Sequence, residues 1–160
     1  MPISAGGRSA SDLWTQAREE RGRGHAFNAA ILFAAASELA FRGPNLQLGI
    51  WPEIQNEAKT LQLPAELQGR PPFTWRFGAD AFRVDAIGHV RADGKAILLM
   101  RRTVDSLTDK KRIDDENFGL IHGIAARFPE HKDVFDTIVV DAIEPTGRVV
   151  RTLETVRGSP

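Results

Sequence analysis

The residues best placed to do chemistry lie in 82–103, FRVDAIGHVRADGKAILLMRRT. Two alternating apolar runs flank Asp93-Gly94, a dipeptide that tolerates the positive φ angles of a type I′ hairpin loop. With that loop, Ala92 stands opposite Lys95, His89 opposite Leu98, Ile87 opposite Met100 and Asp85 opposite Arg102. Side chains alternate along a strand, so Asp85, Ile87, Met100 and Arg102 are expected on one face. An acid and a base would meet there, first of all as a structural ion pair, a kind that perturbs titration without marking catalysis.

The remaining chemistry-bearing residues give weaker patterns. His25, His89, His122 and His131 show no metal-ligand spacing such as i, i+4 on one helix, and no serine sits in a nucleophile-elbow pattern. His89 is nearest the hairpin face and reads as a satisfied strand histidine. Arg21 and Arg23 sit in a Gly-punctuated link read as a solvated turn. Arg101, Lys110, Lys111 and Arg112 form a basic run after the second hairpin strand, and Asp114-Asp115-Glu116 follow it. Trp14, Trp51 and Trp75 are too scattered for a base-stacking platform and suit core or interface packing.

These residues must be positioned by the elements around them. Met1 to Ala10 reads as a flexible leader, and 11–157 as one domain, mostly helical over 11–69 and carrying the sheet and a crossover helix over 73–156. Ser11 or Asp12 would cap a helix through Glu20. Residues 26–41 (AFNAAILFAAASELAF) read as a buried helix stopped by Gly43-Pro44, with Glu38 its only acid. A short strand is expected over 46–50 and a helix from Pro52 to Leu61, with a further turn at Pro64. FTWRF at 73–77 opens a three-strand meander that runs into the hairpin. Ser106 or Thr108 would cap a helix over 109–127, and strands follow at 135–143 and 148–156. Strand–helix–strand beside an antiparallel hairpin predicts an α/β (α+β) fold: a mixed central sheet with helices packed on it.

Bulk properties bound the function. The 160 residues suffice for one domain, and 42% hydrophobic with 26% charged is ordinary globular composition. Lysine plus arginine equals aspartate plus glutamate at 21 each, so no global attraction to a polyanion is indicated, and a near-neutral surface favours self-association or a place in an assembly. There is no cysteine, which excludes disulfides, thiolate zinc sites and a thiol nucleophile. The opening residues lack a secretory pattern and no apolar run reaches membrane-spanning length, so a cytoplasmic location without membrane contact is expected.

The layout over residues 73–141, with 26–41 as a leading helix, resembles the restriction-endonuclease-like PD-(D/E)xK nucleases. Val84-Asp85 is similar to the family's "PD" position. The run Gly94 to Leu99 leads to Met100-Arg101-Arg102 where the acid-x-Lys triplet belongs, and Thr103 resembles the small hydroxylic residue often found next. The resemblance implies a Mg²⁺ ion held by two acids, with Asp85 as one of them. The sequence departs from the pattern at Met100, whose thioether is no ligand for a hard cation, and at Arg102, always protonated and able to clamp phosphate but not to act as a base. The missing carboxylate would then be borrowed from a helix, Glu38 or Glu57. Asp93-Gly94-Lys95 imitates the triplet but occupies the loop. Two functions follow. One is a nucleic-acid-binding nuclease-fold domain with an eroded metal site, Asp85 and Arg102 its catalytic candidates and Arg101, Lys110, Lys111 and Arg112 its phosphate contacts. The other is a non-catalytic subunit or inhibitor on the same scaffold, docking a protein partner or another copy of itself.

Overall fold

The computed structural model describes residues 4–5, 8–41 and 50–156. Helix α1 (Ala10–Gly22) is capped by Ser9: its hydroxyl accepts from the Asp12 N–H while the Asp12 carboxylate accepts from the Ser9 N–H. This capping box fills two otherwise open hydrogen-bonding positions and starts the helix before the expected Ser11 or Asp12. Two short strands, β1 (Ser4–Ala5) and β2 (Arg8–Ser9), pair antiparallel in front of it. Of the stretch read as a leader, 1–3 and 6–7 lie outside the described residues.

Helix α2 (Ala26–Phe41) is buried over most of its surface, and its alanines let α1 pack along it. The expected stop at Gly43-Pro44 and the strand residues 46–49 lie outside the described residues. Ile50 opens helix α3 (Ile50–Ala58) rather than ending a strand. A 3₁₀ turn at Ala65–Leu67 follows Pro64.

The sheet region departs from the expected meander in one respect. Strands β3 (Phe73–Phe77) and β4 (Asp80–Val84) form their own two-stranded sheet, because the chain bends at Asp85 before β5 (Ala86–Ala92) begins. The main sheet has the order β5-β6-β7-β8, with β6 at Lys95–Thr103, β7 at Thr137–Ile143 and β8 at Val149–Thr155. The turn between β5 and β6 is Asp93-Gly94, with φ of 50° and 74°, and the pairing is the expected one from Ala92↔Lys95 to Ala86↔Arg101. Helix α4 (Lys110–Arg127), capped by the Asp109 side chain, carries the chain over to β7, which runs parallel to β6; β8 closes antiparallel.

The mixed α/β architecture is therefore one-sided. The apolar core takes Leu98 and Met100 from β6, Ile138 and Val140 from β7, and the buried faces of α1, α2 and α4. Helix α2 lies against β5, and α4 against β7 and β8. The alternate residues Ile97, Leu99, Val139 and Leu153 belong to the other face and lie outside that cluster, although Val139 is itself buried. Among the described residues, no helix is long and apolar enough to cross a membrane.

Candidate functional site

Asp85 sits at the bend between β4 and β5, its N–H donating to the Arg101 carbonyl at 2.8 Å. Its Oδ2 accepts from the Thr103 N–H at 2.6 Å and the Thr103 hydroxyl at 2.7 Å, and its Oδ1 from Arg83 Nε at 3.2 Å. Thr103 and Arg102 are neighbours on β6, so their side chains leave opposite faces. Arg102 turns under α4: Nε donates to Asn117 Oδ1 and Nη2 to Glu116 Oε2, both at 2.7 Å. The expected Asp85–Arg102 ion pair is thus corrected. The register ends at Ala86↔Arg101, one residue short of that pair, and each of the two is satisfied by a partner on its own side. Burial pushes the Asp85 carboxyl up; the Thr103 hydrogen bonds and Arg83 outweigh it and hold the group below its ordinary range.

The residues do not fit a Mg²⁺ site. Met100 is 0% exposed, packed in the core where a second strand acid would be needed. Glu38 is not brought to Asp85: it lines a groove between α2 and α3 with Phe33, Phe41, Trp51 and Leu61, and no residue of the β5–β6 hairpin reaches that groove. Glu57, the other acid the resemblance offered, accepts from Trp14 Nε1 at 2.6 Å and Arg18 Nε at 2.9 Å. A hard cation needs several oxygens converging on one point, and Asp85 offers one carboxylate already holding three donors.

Arg102, 8% exposed, closes the floor of a cavity of about 410 Å³ between β4 and α4. Asp80, Phe82, Arg112, Asp115, Glu116 and Gly119 line the rest. Glu116 lies between the two arginines, with Arg112 Nε 3.6 Å from its Oε1, and Lys111 Nζ holds Asp115 at 2.7 Å. The chain continues inward from Arg102: Asn117 Nδ2 donates to Thr152 Oγ1 at 3.0 Å, and Thr152 Oγ1 to Asp114 Oδ1 at 2.6 Å. This network fastens β6, α4 and β8 together. The expected phosphate contacts are also divided. Lys110, Lys111 and Arg112 begin α4, whereas Arg101 projects from the other face of the sheet, because alternate residues of β6 must part.

Two features escaped the sequence. Glu20, only 2% exposed, accepts from Arg23 Nη1 at 2.9 Å and Asn28 Nδ2 at 2.8 Å and meets His25 Nδ1 at 2.7 Å; His25 Nδ1 is also 3.6 Å from Asp133 Oδ2. The Glu20, His25 and Asp133 ligand atoms lie within 4.8 Å of one another, a grouping able to approach a metal ion but built as an ion-paired knot between the α1–α2 corner and the turn at Pro129–Asp133. No local spacing signals it, since Asp133 comes from the far end of the chain.

The second is the sheet face that no described helix covers, where β7 is nonetheless buried between its neighbours (Val139 5% and Asp141 4% exposed) and the exposed apolar side chains lie on the edge strands. Its registers give three four-residue rows across β5, β6, β7 and β8: Val90–Ile97–Thr137–Thr155, Gly88–Leu99–Val139–Leu153 and Ala86–Arg101–Asp141–Arg151. Thr103–Ile143–Val149 begins a fourth. Val149 is 50% and Leu153 55% exposed, and a Cβ at Gly88 would meet nothing within 4 Å. Within the charged row, Arg151 grips Asp141 through two hydrogen bonds of 2.7 and 2.8 Å, and that carboxylate raises the Arg151 pKa against the opposing pull of burial. The alternation of RVVRTLET was the available signal, but it does not say which face the helices choose.

Comparison with protein-family models, with curated proteins and with solved structures finds no match to this chain.

Proposed function

We propose that this chain is a non-catalytic protein-interaction module on a nuclease-like scaffold. The observation that carries the reading is the sheet face away from the described helices, whose edge strands expose Val90, Val149 and Leu153. Large apolar side chains exposed on one face of an otherwise charged protein mark a docking surface. The layout of hairpin, crossover helix and parallel strand supports the scaffold. The positions that would do nuclease chemistry are spent on structure: Asp85 on Thr103 and Arg83, Arg102 on Asn117 and Glu116, Met100 on the core.

A nucleic-acid-handling role is the weaker reading, because the basic run at the start of α4 is matched by acids within its own helix, leaving little net field for phosphates. A plasmid-nicking assay with Mg²⁺ or Mn²⁺ separates the two. The module reading expects no nicking, no difference between wild type and Asp85→Asn, and no shift of labelled DNA or RNA at low salt. Metal-dependent nicking that Asp85→Asn abolishes would overturn it.

A further inference from the structure

We infer that the bare face is where a second copy of this chain docks, sheet against sheet, about a two-fold axis running along the strands between β6 and β7. The inference rests on the module reading above and names its partner.

That axis lays β6 of one copy over β7 of the other and β5 over β8, and keeps each row in line. The apolar row then matches itself. Leu99 faces the partner's Val139, which its own neighbours already bury to 5% exposure, so the apolar contact falls to Leu153, the most exposed apolar side chain of the face, which descends onto the partner's Gly88, where the absence of a Cβ leaves open space. In the charged row Arg101 faces the partner's Asp141, twice by symmetry, and the partner's Arg151 lies over Ala86, which leaves room for it. Asp141 is only 4% exposed and already accepts from Arg151 at both oxygens, but a carboxylate has about four lone-pair sites, so a second arginine reaches it at the edge that Arg151 leaves open. A two-fold axis across the strands would instead set Arg101 against the partner's Leu99 or Ile97, according to whether it runs between the apolar and charged rows or along the apolar row, burying charge on hydrocarbon. Charge and shape therefore choose one register.

The zero net charge of the chain removes long-range repulsion between copies. Four strands about 4.8 Å apart and four rows about 7 Å apart give on the order of 500 Å² of projected face per copy, short of the ~800 Å² per partner in a standard interface, so the dimer is a weak one.

The test is sedimentation of the full chain from about 5 to 500 µM, the range a small interface calls for. The expected result is a monomer–dimer equilibrium. Leu153→Asp removes the knob and Gly88→Leu fills the hole, and each raises the dissociation constant at least about tenfold. Both sites are open, so the monomer should remain folded.

Register is read by single cysteines, which report cleanly because the chain has none. Gly88→Cys mixed with Leu153→Cys is linked by a bismaleimide of about 10 Å reach, the spacing of stacked sheets, whereas Gly88→Cys alone is not linked to itself. Arg101→Asp and Asp141→Arg each lose the homodimer and recover association when mixed, since both contacts are then opposite in charge. If Asp141→Arg fails to fold for want of its grip on Arg151, the cysteine pair carries the same question.

A chain that stays monomeric throughout the range, a dimer unmoved by Leu153→Asp and Gly88→Leu, or Gly88-to-Gly88 linking overturns the inference. If nicking is also absent, the module reading survives and its partner is another protein. Asp85-dependent nicking brings down the reading itself.

Discussion

A carboxylate that accepts from both the N–H and the hydroxyl of one residue, as Asp85 does from Thr103, is a clip that holds the β4–β5 bend to the end of β6. Replacing it with asparagine weakens charge-assisted bonds, and because the site is partly open the cost is about 1 kcal/mol, read by urea denaturation at pH 7. The folded pKa of Asp85 is depressed, so this contribution is whole above the unfolded carboxylate value of about 3.9 and fades as pH falls through the lower folded value. The gap between wild type and Asp85→Asn should therefore close on strong acidification; a gap unchanged at low pH contradicts the clip. Arg102 makes the opposite case, a buried cation kept by its partners. Arg102→Met strands the Asn117 carbonyl oxygen and should cost about 2 kcal/mol, while adding Asn117→Leu removes that stranded oxygen and recovers part of the loss, Thr152 giving up the Asn117 N–H but keeping its bond to Asp114. A double-mutant cycle measures the coupling, and strictly additive losses would mean that the two residues do not act as a unit.

At the scale of elements, α4 is held between two surfaces, the main sheet beneath it and the β3–β4 hairpin beside it. Gly123 is where the hairpin comes closest: a Cβ there would overlap the Phe77 ring, and the overlapped atoms are at the ring's root, which cannot swing away. Gly123→Ala gains about 1 kcal/mol of helix propensity and loses about 1–3 kcal/mol to overpacking, so it should destabilise on balance. Gly119 meets only the far edge of Phe82, at 3.3 Å, and Gly119→Ala should be nearly neutral; paired thermal melts separate the two. Neither contact was legible in the sequence, which marks Gly119 and Gly123 only as weak spots in a helix. What was legible is local. Asp93-Gly94 sets its own turn and the alternation around it sets the register, and Ile113, Leu120, Ile121 and Ile124 recur at helical spacing to give α4 its core side. The site was less legible because one residue decides it. A bend at Asp85 frees its carboxylate from the strand's alternation, so a correct register still predicted the wrong partner. The Glu20–His25–Asp133 knot was hidden for another reason, being made only when the chain's two ends close on each other.

For the molecule as a whole, the consequence of helices on one side is a surface that solvent tolerates poorly. Val149 and Leu153 lie on β8, an edge strand with unpaired backbone groups beside exposed apolar side chains, the combination that invites unwanted association. With equal numbers of acids and bases, charge repulsion does not oppose that association near pH 7. Solubility of the wild-type chain should therefore be lowest near its isoelectric point of about 6.9 and rise on either side. Val149→Glu with Leu153→Glu adds two charges where each side chain is half in water, so each change in folding stability should stay within about 0.5 kcal/mol. The same substitutions place acids on either side of Arg151 on one face of the strand, which further eases their introduction. The expected outcome is an unchanged thermal midpoint together with a several-fold higher solubility limit at pH 7. A variant that melts early would show that these side chains pack against something in the folded monomer. One that folds normally but gains no solubility would place the sticky surface elsewhere, on the α2–α3 groove with its exposed Phe41.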